Sequence, residues 1–116
     1  MRLLGAVVVS ISYRLAPEHK WPVPWNDAWD NTVWIAAHAA ELGADPEKGF
    51  VVGGVSAGGA MSAFIASQPQ NEPLVHTITG KWLSVPSLMP ANSLPPKYQL
   101  LRRSMIDNKD APILSA

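Results

Sequence analysis

The sequence predicts an α/β fold in which parallel strands are flanked by helices. Two apolar, β-branched runs at residues 6–12 and 50–55 suit buried strands, and a helix-patterned segment at residues 24–42 lies between them. A second helix-patterned segment follows the second run. Strands that alternate with helical segments are typical of βαβ units, whose strands pair in parallel. The length of 116 residues suits one small domain that covers the whole chain.

The composition excludes several kinds of partner and site. Hydrophobic residues make up 47% of the chain and charged residues 16%, which is typical of a protein with a packed core. The formal net charge is +0, so we expect neither a nucleic-acid partner nor binding to an anionic membrane. Because the chain has no cysteine, disulfides and thiolate metal sites are excluded. That absence also fits a reducing compartment, so we expect a cytoplasmic protein. No apolar run approaches the length needed to span a bilayer, so no membrane span is expected, and no cofactor or metal is implied.

The first predicted element is a strand at residues 6–12. Its sequence, Ala-Val-Val-Val-Ser-Ile-Ser, is β-branched and begins without polar alternation, as in a strand that is buried on both faces. Met1 and Arg2 before this apolar run would also suit a short secretory signal, but no small-x-small cleavage site follows. We therefore expect a strand.

The second predicted element is a helix at residues 24–42, after a connection with three prolines between residues 17 and 24. Proline suits the first turn of a helix, and Gly43 suits the position just past its end. Asp27 and Asp30 are expected to lie near the positive end of the helix dipole. Spacings of three and four predict one buried stripe, formed by Trp25, Trp29, Val33, Ala36 and Ala40.

The most informative stretch joins the strand at residues 50–55 to the helical segment at residues 60–66. The strand ends in Gly-Val-Ser-Ala-Gly at residues 54–58, which is a G-x-S-x-G pattern. A strand, a sharp turn and a helix are the context that a nucleophile elbow requires. A serine among glycines also occurs in ordinary turns, so this stretch alone leaves a purely structural role open.

In a nucleophile elbow each small residue has a physical role. Ser56 would be the catalytic nucleophile, with its hydroxyl exposed over the end of the sheet. Gly54 and Gly58 are expected to lie so close to backbone that a Cβ would clash, and Gly59 follows as a second glycine of the elbow. The backbone N–H of Ala57 is expected to be one donor of an oxyanion hole, helped by the N-terminus of the following helix.

The second half of the chain is less regular. A polar loop is expected at residues 68–73, and a third parallel strand at residues 78–85 with Pro86 closing it. A proline-rich segment covers residues 90–96, and a short helix is predicted at residues 98–106.

Three linked segments resemble a known family. They are Val-Ser-Ile-Ser-Tyr-Arg-Leu-Ala-Pro-Glu-His at residues 9–19, Ala-Ala-His-Ala-Ala-Glu-Leu-Gly-Ala-Asp-Pro at residues 36–46 and Gly-Val-Ser-Ala-Gly-Gly at residues 54–59. In this order they closely resemble the hormone-sensitive-lipase-like group of α/β-hydrolase carboxylesterases. The resemblance implies a partial α/β-hydrolase fold with an incomplete sheet. It also implies a serine hydrolase that forms an acyl-enzyme on Ser56 from a small-molecule ester with an apolar acyl group.

The sequence departs from the family pattern in several ways. Val55 stands where relatives commonly carry an acid, and Ala60 where many carry asparagine. In the family, the His-Gly-Gly part of the oxyanion hole and the third strand come before the segment at residues 6–12, and that third strand lies between the strands expected at residues 6–12 and 50–55. The triad acid and histidine lie well after the nucleophile. We therefore expect a fragment or truncated product of an esterase.

None of the three histidines is expected to be the base of a catalytic triad. His19 belongs to a family segment with a structural role, and His38 is expected at an exposed or edge position of the helix. His76 could approach the elbow with Asp107 or Asp110 as its acid, although this is not the order of the family. A non-catalytic fragment or an acyl-binding or interaction module therefore remains an alternative. Among enzymes, an amidase or deacetylase remains open because the elbow alone does not choose the leaving group.

Overall fold

The computed structural model describes residues 5–88, apart from the side chain of Gln70. One α-helix packs on a small sheet, and a second α-helix packs against the first. In chain order the elements are α1 (Val23–Ala37), a 3₁₀ turn (Pro46–Lys48), β1 (Val51–Val55), α2 (Ala57–Ser67), a second 3₁₀ turn (Gln68–Gln70) and β2 (Gly80–Ser84). The predicted proline-rich segment at residues 90–96 and the predicted helix at residues 98–106 lie outside the described residues. None of the helices within residues 5–88 is both long enough and apolar enough to cross a membrane.

The sheet confirms the predicted parallel strand after α2, which pairs directly with the strand before it. β1 and β2 run in register from Val51 opposite Gly80 to Val55 opposite Ser84. The backbone N–H of Thr79 donates to the carbonyl of Phe50 at 2.8 Å, which extends the contact just before both strands begin. Because α2 connects the strands and packs on both of them, this βαβ unit places Ser56 where the first strand ends.

The predicted strand at residues 6–12 is wrong for this structure, because the segment has no strand partner. It lies beside β1 across a cleft of about 750 Å³, lined on one side by residues 6–9 and on the other by Val51 and Val52. Val8 is 83% exposed. A strand is stable only when a neighbour takes its N–H and C=O groups, and no described strand is adjacent to this segment. The cleft separates the two segments between which the family resemblance expects a further strand.

Helix α1 ends five residues earlier than predicted, but Gly43 still terminates the segment. The α-helical hydrogen bonding ends at Ala37, and looser turns continue to Gly43. In these turns Leu42 donates to the carbonyl of His38 at 3.2 Å. Gly43 has φ 73°, a left-handed conformation that glycine adopts without the steric cost of a side chain.

The buried face of α1 is rotated from the predicted stripe. Trp29 and Ala36 are buried as expected, but Val33 is 37% exposed and Ala40 is exposed. The helix instead buries small side chains at a spacing of four, and these allow a close approach to α2. The buried residues of α1 are Pro24, Ala28, Trp29, Thr32 and Ala36. Of these, Ala28 and Trp29 belong to the core cluster that also includes Val52, Met61 and Ile65.

Asp27 does not lie in the first turn of α1, so the predicted interaction with the helix dipole is wrong. Its carboxylate instead accepts two hydrogen bonds from the Arg14 guanidinium, Nε to Oδ2 at 2.9 Å and Nη2 to Oδ1 at 2.7 Å. The backbone N–H of Arg14 also donates to Oδ2 at 3.0 Å. These hydrogen bonds lower the pKa of Asp27 to about 2. The acid therefore ties α1 to the segment that precedes it.

Candidate active site

Ser56 occupies a sharp turn between β1 and α2. Its backbone has φ 54° and ψ −117°, a conformation that residues other than glycine rarely adopt. The turn is held from both sides, because the Ser56 N–H donates to the carbonyl of Ser84 at 2.9 Å and its carbonyl accepts from Ala60 at 3.0 Å. Strained backbone of this kind persists where surrounding contacts fix it, and it is concentrated at functional sites.

The side chain of Ser56 is exposed and is not engaged in capping α2. Serine before a helix usually accepts a hydrogen bond from an amide of the first turn. Here the structure shows no such bond, although Ser56 is the residue just before the helix. The hydroxyl therefore remains available for a bond to a substrate or a base.

Gly54 has no room for a side chain. A Cβ at this position would lie 2.6 Å from the carbonyl oxygen of Gly58 and 2.8 Å from its Cα, which confirms the expected backbone contact. The matching expectation for Gly58 is wrong, because a Cβ there would meet nothing within 4 Å. The backbone of Gly58 excludes a side chain at Gly54, whereas Gly54 does not exclude a side chain at Gly58.

Gly59 brings the first turn of α2 against the ends of both strands. A Cβ at Gly59 would lie 3.1 Å from the carbonyl oxygen of Gly54 and 3.2 Å from that of Ser84. It would also lie 3.2 Å from the Cβ of Pro86. The second glycine of the pair therefore sets how closely the helix approaches the sheet beside Ser56.

Ala57 is the first residue of α2, in the place that its expected role requires. Amides in the first turn of a helix have no carbonyl partner within the helix. They also lie at the positive end of the helix dipole, where negative charge is stabilised. The N–H of Ala57 can therefore donate a hydrogen bond to an oxyanion that develops beside the Ser56 hydroxyl.

His76 lies at the opposite end of the sheet from Ser56. Its Nδ1 is 3.2 Å from Oε1 of Glu47, in the region where Phe50 and Thr79 join the strands at their start. Ser56 follows the other end of β1, and a five-residue strand spans about 16 Å. His76 is therefore not placed to be the base for Ser56.

The other two histidines are also engaged elsewhere. The His38 ring stacks on Trp34 with ring centroids 4.3 Å apart, and its Nδ1 hydrogen-bonds the Trp34 carbonyl at 2.8 Å. His19 lies in the loop before α1, close enough to Asp27 to help lower the pKa of that acid. Within residues 5–88 no histidine is hydrogen-bonded to Ser56, and Asp107 and Asp110 lie outside this range.

Sequence reasoning did not include the end of β2 in the site. Ser84 holds the Ser56 amide, and Pro86 packs against Gly59, although the proline was interpreted only as the end of a strand. The available signal was topological. Because neighbouring parallel strands end at the same edge of a sheet, the residues after the third predicted strand had to lie beside the elbow.

Comparison with known proteins shows similarity to α/β-hydrolases over nearly the whole chain. A family model described as the alpha/beta hydrolase fold matches residues 1–115. An AB hydrolase superfamily protein of Schizosaccharomyces pombe is 39% identical over 111 residues, which cover 96% of this chain and 33% of the relative. Carboxylesterase NlhH of Mycobacterium tuberculosis is 42% identical over 112 residues, which cover 94% of this chain and 31% of the relative.

A solved structure agrees with the sequence comparison. The crystal structure of vibralactone cyclase matches with a TM-score of 0.77 at 36% identity, over 90% of this chain and 31% of that one. The chain thus spans about a third of the length of the proteins it matches. The matches confirm the family resemblance that the three linked segments indicated, and they show that this chain belongs to the α/β-hydrolase family.

Proposed function

We propose that the protein is a serine carboxylic-ester hydrolase that forms an acyl-enzyme on Ser56. The observation that carries the proposal is the conformation of Ser56, which lies in a left-handed turn between β1 and α2 with an exposed side chain that does not cap the helix. Similarity to a relative named carboxylesterase supports the ester bond as the target. The proposal extends to the whole chain as one partial α/β-hydrolase domain.

The proposed reaction has two steps. The Ser56 Oγ attacks the ester carbonyl carbon and passes its proton to a base, while the carbonyl oxygen becomes an oxyanion bound by the Ala57 N–H. The C–O bond to the alcohol then breaks, and the alcohol leaves with a proton returned by the base. Water attacks the acyl-enzyme, releases the acid and restores the serine. The family resemblance places the base, a histidine, well after the nucleophile. The three histidines of this sequence all lie within residues 5–88, and none of them is suitably placed to be that base.

The surface next to Ser56 supports an apolar acyl group. Val55 is 57% exposed and Val85 is 76% exposed, and both lie at the end of the sheet that carries the elbow. An exposed apolar surface beside a reactive group provides burial for a hydrocarbon chain. We therefore propose esters of apolar carboxylic acids as the substrate class.

An active-site-directed fluorophosphonate tests the nucleophile, because it phosphonylates an activated serine. We expect the wild-type chain to be labelled and the modified peptide to contain Ser56, whereas Ser56→Ala should not be labelled. Ser67→Ala is the matched control, since Ser67 is an exposed serine on the same helix whose Oγ is hydrogen-bonded to the Phe64 carbonyl. This variant should be labelled like the wild type. A folded wild-type chain that stays unlabelled would contradict the assignment of Ser56.

A second candidate function is an acyl-binding module that does not hydrolyse what it binds. The absence of a histidine hydrogen-bonded to Ser56 within residues 5–88 favours this candidate for the described part of the chain. A p-nitrophenyl ester separates the two. Repeated release of p-nitrophenol by the wild type, but not by Ser56→Ala, would support hydrolysis. Binding without release would support the module. Comparison with the matching anilide tests whether an amide is also cleaved.

A further inference from the structure

Ser56 and Val85 share an unusual backbone conformation at one end of the sheet. Within residues 5–88 they are the two non-glycine residues with positive φ, 54° at Ser56 and 42° at Val85. Val55 and Ser84 are the last registered pair of β1 and β2, so Ser56 and Val85 each follow their strand by one residue. Two left-handed residues therefore lie side by side where the elbow is built.

The conformation of Val85 is not explained by its own side chain. A β-branched residue with positive φ is a genuine outlier, since its branched Cβ crowds the backbone in this region. The Val85 side chain is 76% exposed, so burial does not hold it in place. Contacts made by its neighbours must hold the backbone instead.

The neighbours on both sides of Val85 contact the elbow. The preceding carbonyl, that of Ser84, accepts the Ser56 N–H at 2.9 Å. The following residue, Pro86, has its Cβ 3.2 Å from the position that a Cβ on Gly59 would occupy. Val85 connects these two contacts, so its φ sets the direction of the chain between them.

We propose that Val85 is a positioning residue for Ser56. Its left-handed turn lets β2 hold the Ser56 amide through Ser84 while Pro86 supports the first turn of α2. The Ser56 backbone carries the hydroxyl and leads directly into the Ala57 N–H. The catalytic consequence rests on the proposed function, but the backbone arrangement can be measured without activity.

Three substitutions separate the backbone role of Val85 from its side chain. Glycine and asparagine both tolerate the left-handed region, whereas proline fixes φ near about −65° and forbids it. Amide hydrogen exchange, measured by NMR on the full chain, reports the Ser56 N–H directly. In Val85→Pro we expect this amide to exchange at least about tenfold faster, while the amide of Ile65 in the interior of α2 changes little. In Val85→Gly and Val85→Asn the Ser56 amide should stay as protected as in the wild type.

Fluorophosphonate labelling supplies the second readout. We expect the labelling rate of Val85→Pro to fall with the Ser56 protection. Val85→Gly and Val85→Asn lose apolar surface beside Ser56 but keep the turn, so their rates should fall less than that of Val85→Pro. A wild type that is never labelled overturns the proposed function, and the exchange pattern then decides the positioning role alone.

Several outcomes would overturn the positioning role. One is a folded Val85→Pro chain whose Ser56 amide stays as protected as in the wild type, which would show that the turn at Val85 does not hold this amide. Another is loss of Ser56 protection in Val85→Gly, which would show that the side chain matters and not the turn. If Val85→Pro does not fold, Val85→Gly and Val85→Asn decide the question, since retained Ser56 protection supports the role and a loss overturns it.

Discussion

The Arg14 guanidinium holds both carboxylate oxygens of Asp27, with Nε 2.9 Å from Oδ2 and Nη2 2.7 Å from Oδ1. The pair joins α1 to the segment that precedes it, and a neighbouring hydrogen bond from Asn31 Nδ2 to the Ser12 carbonyl at 3.2 Å reinforces the junction. The segment at residues 6–12 has no strand partner in the described structure, so these side-chain hydrogen bonds hold its C-terminal end against α1.

Acid should weaken this junction in a defined range. The Asp27 pKa is lowered to about 2 in the folded protein, whereas an unfolded aspartate titrates near about 4. The ion pair therefore stabilises the fold above about pH 4, and its contribution is lost as the pH falls through about 2. We expect the urea midpoint of the wild type to drop over this range, and that of Asp27→Asn to drop less.

The control for the acid experiment is Asp30→Asn, since Asp30 is exposed on the same helix and makes no hydrogen bond to Arg14 in the described structure. Its profile should follow that of the wild type. Identical profiles for wild type and Asp27→Asn would show that the pair does not respond to pH as its geometry implies.

Two glycines of the elbow should respond oppositely to alanine. Gly54→Ala places a Cβ against the backbone of Gly58, and we expect a loss of about 2 kcal/mol or more in the free energy of unfolding. Gly58→Ala meets nothing within 4 Å and adds a better helix former to α2, so a change between zero and a gain of about 1 kcal/mol is expected. Urea denaturation measures both. Equal destabilisation by the two substitutions would refute the one-sided contact.

The Trp29 indole should contribute through its N–H as well as through its burial. Nε1 donates to Glu72 Oε2 at 2.8 Å and so joins α1 to the loop that follows α2. Trp29→Phe keeps an aromatic ring but loses this bond, and we expect a loss of about 1–3 kcal/mol in the free energy of unfolding. Glu72→Gln retains an acceptor and should lose less. If Glu72→Gln is as destabilising as Trp29→Phe, the charge and not the hydrogen bond is the important feature.

The apolar segment at residues 6–12, which has no strand partner in the described structure, should promote self-association. Val8 is 83% exposed and Val51, across the cleft, is 63% exposed. Exposed apolar segments without strand partners recruit other chains, and a lysine opposes this. We expect Val8→Lys to reduce light scattering at high protein concentration without changing the urea midpoint. A matched Val8→Thr variant keeps the β-branched shape and should scatter at an intermediate level. Scattering that is unchanged in Val8→Lys would place the association surface elsewhere.

The elements that the sequence predicted well are those whose causes are local. The apolar run at residues 50–55, the glycines and the small-residue helix are adjacent in the chain, and each requires the others through contacts a few residues apart. The parallel strand after α2 also follows from this unit, because a strand, a helix and a strand pack together as one motif. The turn at Ser56 was therefore predictable before any long-range contact was known.

The predictions that failed depended on distant partners. A β-branched run at residues 6–12 becomes a strand only if another strand lies beside it, and the run itself cannot show this. Asp27 suits a helix dipole by its position, but Arg14 lies within reach because the preceding segment folds back along α1. The buried face of α1 was misplaced because burial follows the surface of α2, which favours small residues such as Ala28 over the larger Val33.

The contact between Gly54 and Gly58 has a consequence for how the protein family can vary. Backbone touches backbone at this point, so no side chain lies between Gly54 and Gly58 that could shrink or grow in the course of evolution. The position of the Ser56 hydroxyl is consequently a fixed reference point. Under the proposed ester hydrolysis, adaptation to a larger or smaller substrate would take place on the walls around it. Val55 next to Ser56 and Val85 next to Ser84 are exposed apolar side chains on those walls.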